Sequence, residues 1–227
     1  MIMNDQPTLN ATVFNLLRQD ILAGRLLPGE RLRAETLRQR YDVGGSPIRE
    51  ALMRLEAEGF VVLEQNKGFR VAGVSGAHLQ DLSRTRVEIE AIALKWSIAR
   101  GGVDWESAII ASMHRLASVP KRLDTEGLER NVDWLRYHRE FHAALVAACD
   151  SPVLVGMRNH LFDQAERYVA LSISVSGELR DDVSEHQGIM EAALARDIEL
   201  ALALNRRHIE RTTKKLLAAI EHYESAA

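Results

Sequence analysis

The chain has one cysteine, Cys149, in 227 residues. A single cysteine forms no internal disulfide and no zinc-thiolate cluster. In a helical, alanine-rich stretch it reads as a small core residue. Aromatic residues are only 5% of the chain and runs of β-branched residues are rare, which argues against an all-β sandwich or barrel. No apolar run approaches the roughly 20 residues of a membrane span. Met1 to Asn10 lack the basic start and apolar core of a secretory signal. A cytoplasmic location with no membrane partner is therefore the expectation. Positive charge is not in excess either. The net charge is −3, with residues 1–75 at +1 and the remainder at −4. Any nucleic-acid surface must then gather its cations on one face.

What is present is an ordinary globular mixture, 46% hydrophobic with charges of both signs interspersed. Most of it follows the helical period. The first helix is expected over Thr8–Ala23, with Val13, Leu16, Leu17 and Ile21 on one face and Gly24 at its end. Leu27-Pro28-Gly29 reads as a turn. A short helix follows over Ala34–Tyr41, then the tight connection Asp42-Val43-Gly44-Gly45. Ser46-Pro47 opens a third helix, with Ser as N-cap and Pro at the first helical position, carrying Ile48, Leu52 and Leu55 to about Gly59. The exception to the helical period is Val61 to Val74. There, Val61-Val62-Leu63 and Phe69-Arg70-Val71 flank Asn66-Lys67-Gly68 and read as a β-hairpin.

A short helix, a glycine-containing turn, a second helix and a hairpin make a winged helix-turn-helix pattern. A helix fits the major groove and presents its N-terminal residues to base edges. Arg49 falls in the first turn of that helix, beside Ser46 and Pro47; Arg33, Arg38 and Arg40 surround the preceding helix; Lys67 and Arg70 lie on the hairpin. Any one of these cations is ordinarily a solvated surface charge. Their value lies in the ordered pattern that carries them.

Gly73-Val74-Ser75-Gly76 reads as a linker. Beyond it, six helices are expected: Ala77–Arg100, Trp105–Ser118, Thr125–Ala148, Pro152–Ser174, Glu178–Ala195 and Ile198–Tyr223. The fold class is mostly α. A winged helix-turn-helix of three helices plus a β-hairpin (8–74) precedes an all-α six-helix bundle (77–223).

His138 and His142 stand at i, i+4 on one predicted helix, so both imidazoles leave one face. That spacing suits two ligands of one metal, although such a pair also arises by chance. His186 and His208 lie at comparable depths of the last two helices, whose short connection makes them antiparallel. Four imidazoles can thus converge inside a bundle. His78, His114, His160 and His222 read as surface or helix-terminal residues.

The run Asp20-Ile21-Leu22-Ala23-Gly24, then Leu27-Pro28-Gly29-Glu30-Arg31-Leu32, Val43 to Leu52, Glu58-Gly59-Phe60-Val61 and Gly68-Phe69-Arg70-Val71 resembles the DNA-binding domain of the GntR family of bacterial regulators. The resemblance spans about residues 12–72. It implies a homodimer on a palindromic double-stranded operator, read by the third helix and the wing. One departure stands out. Where the family commonly has Ser/Thr-Arg-Thr, this chain has Gly44-Gly45-Ser46, so the usual arginine contact is lost or taken over, with Arg33 a candidate.

Residues 77–223 resemble the all-α FCD effector domain of the FadR-type branch of that family. The matching residues are Arg86 to Glu90, the Asp-x-x-Phe-His pattern, Glu185-His186 and Arg206-Arg207-His208. The resemblance implies a divalent metal held by an Asp and three His. Here the Asp position is His138. Four nitrogens favour zinc, nickel or copper over magnesium or calcium, with zinc or nickel first; alternatively three histidines hold the ion without His138. A carboxylate effector follows. Arg86 is a candidate clamp for its second carboxylate, although a simple ion pair with Glu90 one turn later is the competing reading. Arg167 is a weaker candidate. The stretch from Arg33 to Val71 is similar to carbon-starvation regulators that respond to glutarate, which implies C4–C6 dicarboxylates.

The function expected is a DNA-binding transcriptional repressor released by a small carboxylic acid. Two other readings are an architectural DNA binder with a structural metal and a metal-dependent hydrolase fused to a DNA-binding module. The hydrolase lacks an evident general base. Glu140 is two residues from each histidine and off their face, and Glu185 is only a weak candidate. The chain is expected not to be an enzyme.

Overall fold

The computed structural model describes residues 8–121, 131–169 and 182–226. The chain divides into two compact units, Met1–Val74 and Ser75–Ala227. In the first, α1 (Leu9–Leu22), β1 (Arg31–Leu32), α2 (Ala34–Tyr41) and α3 (Gly45–Ala57) precede the hairpin β2 (Val61–Glu64) and β3 (Gly68–Val71). Val13, Phe14, Leu17 and Ile21 of α1 are buried against Ile48, Leu52 and Leu55 of α3. Burying each such side chain contributes about 1.5–3 kcal/mol. Leu16, expected on this face, is exposed. It sits just past one edge of the buried arc, whose other edge is Phe14. The hairpin turn has Asn66 and Gly68 at positive φ, 61° and 82°.

Sequence reasoning missed β1. It pairs antiparallel with β3 through Arg31 and Arg70 and through Leu32 and Phe69, so the sheet runs β1-β3-β2. A two-residue strand leaves no period to read. Asp20 ties the start of this unit together. Its buried carboxylate accepts from Tyr41 Oη at 2.7 Å and Arg25 Nε at 2.6 Å, and pairs with Arg40 at 2.7 Å. Burial, then the bond to Asp20, raises the Tyr41 pKa.

The second unit contains α4 (Gly76–Arg100), α5 (Val103–Ala117), α6 (Val132–Val146), α7 (Pro152–Val169), α8 (Asp182–Leu194) and α9 (Ile198–Ala226). The expected starts at Thr125 and Glu178, the expected end at Ser174 and the break at Ser176-Gly177 lie outside the described residues. α4 packs on α9 and α7, α5 on α6, and α8 on α9. Leu94, Ile98, Ile109, Leu116, Phe141, Leu145 and Ile189 form the core with Cys149, which is buried as expected. Among the described residues no helix is long and apolar enough to cross a membrane.

Two turns fix the bundle. Gly101 ends α4 where a Cβ would lie 2.3 Å from Trp105 Cε3 and 2.9 Å from the Ser97 carbonyl. Arg196, between α8 and α9, takes a positive φ of 61°. It donates to the carbonyls of Ile98 and Gly101, each at 2.7 Å, and pairs with Glu106. One side chain thus clamps the α8–α9 turn to the end of α4.

Candidate metal centre and nucleic-acid interface

In the first unit, α3 begins two residues earlier than the sequence signal implied. Gly44, not Ser46, is the N-cap residue, and it supplies no side-chain cap. Pro47 is tolerated at the third position because the first four N–H groups of a helix have no intrahelical partner. Ser46 is exposed, and its hydroxyl donates to Glu50 at 3.2 Å. Ile48 and Leu52 face inward, which turns Arg49 outward.

Arg49 borders a hollow of about 540 Å³ between α3, the β1 segment and the hairpin. Arg31, Arg33 and Lys67 line the same hollow, and no carboxylate is among its lining residues. Three of the sequence-predicted cations are thus gathered on one concave face, and Arg31 joins them through the strand that sequence reasoning missed. Four cations without an acid attract a phosphate backbone.

The other predicted cations are held elsewhere. Arg70 donates to the Gly29 carbonyl at 2.8 Å and pairs with Glu64 at 3.1 Å, tying the wing to the turn. Arg40 is spent on Asp20. Arg38 pairs with Glu35 at 3.0 Å. Its Cδ lies 3.9 Å from where a Cβ of Gly45 would be, so Arg38 rather than Arg33 covers the position of the missing arginine.

In the second unit, α6 supplies His138 and His142, α8 supplies His186 and α9 supplies His208. Asn131 caps α6 by accepting from the Asp133 N–H at 3.0 Å and anchors it by donating to the Pro120 carbonyl. All four histidines are buried, and one ring nitrogen from each lies within 4.8 Å of the others. His142 Nε2 and His186 Nε2 stand 3.1 Å apart. A tetrahedral zinc with nitrogens at roughly 2.0–2.1 Å sets its ligands about 3.3 Å from one another; the His142–His186 pair already stands near that spacing, and the wider pairs would have to close by up to about 1.5 Å.

Burial keeps the rings of His138 and His142 neutral, the form a cation requires. Burial, then His186 and His208, holds His138 well below the usual imidazole pKa. Burial, then His138, His186 and His208, does the same for His142. Among the described residues, Nδ1 of His138 and of His142 are buried with no hydrogen-bond partner. His208 Nδ1 meets the Glu185 carboxylate at 3.0 Å, which leaves Nε2 for a ligand. Glu185 also accepts from Arg211 at 2.9 Å and so is committed to orientation. Glu140 pairs with Arg115. Neither carboxylate is placed as a general base. His78, His114 and His160 are exposed, and the side chain of His222 lies outside the described residues.

Phe162 of α7 adjoins this cluster, with its ring centroid 5.5 Å from His142 and 5.8 Å from His138. Three guanidiniums surround the same ring: Arg158 at 4.5 Å, Arg86 at 4.8 Å and Arg139 at 5.3 Å. Arg139 pairs with Asp163. Arg86 donates from Nε to Glu90 at 2.6 Å, so the ion pair weighed from the sequence is present, buried beside the cluster. Burial pushes the Glu90 pKa up, but Arg86 and Arg158 reverse it and hold the carboxyl below its ordinary value. Arg167 is buried with its guanidinium 5.5 Å from the Tyr168 ring. It is nine residues from Arg158, about half a turn around the helix. The arginine that α7 brings to Phe162 is therefore Arg158, a position that no periodic pattern marks.

Residues 9–71 match the bacterial regulatory proteins of the gntR family, and residues 81–211 match the FCD domain. The HTH-type transcriptional repressor GlaR of Escherichia coli is 38% identical over 204 residues, covering 86% of this chain and 90% of that protein. The uncharacterized HTH-type transcriptional regulator BphR of Paraburkholderia xenovorans is 37% identical over 209 residues, covering 92% and 85%. Among solved structures, McbR/YncC of Escherichia coli superposes with a TM-score of 0.78 at 20% identity, covering 96% of this chain and 100% of that one, a likeness of fold.

Proposed function

The chain belongs to the GntR family of bacterial regulatory proteins, with an FCD domain, and from that premise we propose that it is a metal-dependent, carboxylate-responsive repressor. It acts as a homodimer on a palindromic operator. Arg49 and Ser46 at the start of α3 approach base edges, with Pro47 setting their backbone. Arg31, Arg33 and Lys67 hold the phosphates, Arg38 covers the position of the missing arginine beside Gly45, and Arg70 holds the wing.

The observation that carries the sensor reading is the convergence of four buried histidines with one ring nitrogen each within 4.8 Å. His138, His142, His186 and His208 would hold zinc or nickel. When bound, the ion supplies a Lewis-acidic charge to which a carboxylate oxygen can attach. Glu185 fixes the tautomer of His208, Trp134 stacks on His138 at 4.6 Å, and Phe162 walls the site. Dicarboxylates are the favoured effectors. They lower operator affinity by binding one disposition of the dimer better than the other.

Metal analysis and a gel-shift titration test the reading together. Purified protein should carry about one zinc or nickel per chain. Stripping it should abolish the release of DNA by C4–C6 diacids, and His142→Ala should do the same. Full release from the stripped protein overturns the metal's role.

A further inference from the structure

We propose that Arg158 and Arg86 form a buried carboxylate subsite that selects diacids over monoacids of equal length. The inference deepens the sensor reading above and rests on it. Arg158 is only 1% exposed. Its Nη1 donates to Asn159 at 3.1 Å. Its Nε and Nη2 are buried with no hydrogen-bond partner among the described residues. A buried guanidinium with open donors is costly to the fold and calls for an anion with two oxygens to match its fork.

Glu90 does not fill that need. Arg86 Nε takes its Oε1 at 2.6 Å, whereas Arg158 Nε stands 3.7 Å from the same oxygen, too far for a hydrogen bond. Asn205 also bonds to Glu90. One carboxylate is thus shared by two guanidiniums, and Asp163 attracts Arg158 without bonding to its two open donors. Arg139, the third cation on Phe162, has its own partner in Asp163.

The placement points to the ligand. Phe162 contacts Arg158 and Arg86, and also His142 and His138. The guanidiniums and the imidazole cluster therefore stand within two ring-contact distances of each other. A short diacid can set one carboxylate at the histidine site and the other on Arg158, with its methylenes over the Phe162 ring. A monoacid of the same length leaves the second position empty.

Calorimetric titration of the zinc-loaded full-length protein with pentanedioate and with pentanoate tests this. The wild type should prefer the diacid by on the order of a hundredfold, because the monoacid leaves buried donors unpaired. Arg158→Met should remove most of that preference while leaving pentanoate affinity and zinc content unchanged. Arg158→Lys, which keeps the charge but not the fork, should fall between and guards against a folding defect in the methionine variant. Equal affinity of the wild type for both acids overturns the subsite and leaves the sensor reading standing. Parallel loss of both acids in Arg158→Met, with zinc retained, reduces Arg158 to a structural residue. Binding of neither acid by the wild type overturns both proposals.

Discussion

At the residue scale, Arg49 shows how burial of neighbours decides function. Ile48 and Leu52 are committed to the core, so Arg49 is left on the outer face of α3 beside the cationic hollow. It carries no structural duty among its described contacts, unlike Arg70 or Arg40. Arg49→Ala should therefore weaken operator binding by about 1–3 kcal/mol, roughly tenfold to over a hundredfold, with an unchanged melting temperature. Fluorescence anisotropy with an operator duplex measures this, and unaltered affinity removes Arg49 from the interface. The residue scale is also where the sequence was least informative. The i, i+4 spacing of His138 and His142 was visible in one dimension. Arg158 was not, because its meaning comes from Glu90, 68 positions earlier, and from Phe162, neither of which a local pattern joins to it. Ser46 misled because Ser-Pro is a good helix start, while the adjacent glycines let α3 begin sooner.

At the scale of elements, the helices were legible because each buries a stripe at 3.6-residue spacing. α2 runs over Ala34–Tyr41, the span its sequence implied. β1 was not legible, since two residues pair with β3 only after the hairpin exists. The contacts that set the helices against one another were equally hidden. Gly101 reads in the sequence as a break, yet its deeper role is to leave room for Trp105, whose indole N–H donates to the Ala144 carbonyl of α6 at 3.0 Å. A methyl group there collides with a buried ring and a carbonyl. Gly101→Ala should cost about 1–3 kcal/mol through overpacking, seen as a lower midpoint in urea unfolding. A neutral outcome would mean that Trp105 can retreat freely, and the clamp around Arg196 would then carry less weight.

At the scale of the whole molecule, the histidine cluster links stability to pH. The imidazoles of His138 and His142 titrate well below their ordinary value near 6.5, chiefly because they are buried. Above that value the rings are neutral in both folded and unfolded chains, and pH has no leverage through them. Below it the unfolded chain takes up protons that the bundle refuses, so stability falls by about 1.4 kcal/mol per pH unit for each ring. The metal-stripped protein should melt progressively lower between pH 7 and pH 5, and a flat profile would show that the rings accept protons in place. A last consequence follows from His138 standing where the FCD resemblance expects an aspartate. A dication on three imidazoles and a carboxylate presents one net charge to its cavity, whereas four neutral imidazoles present two. Glu90 and Asp163 offset Arg86 and Arg158, and Glu166 lies 3.8 Å from His138 Nδ1. Loaded with a dication, such a cavity would favour anions over neutral ligands. On the proposed sensor reading, phosphate or sulfate in the surrounding medium should compete with a carboxylate effector, so the response would depend on the anion composition as well as on the effector's own fit.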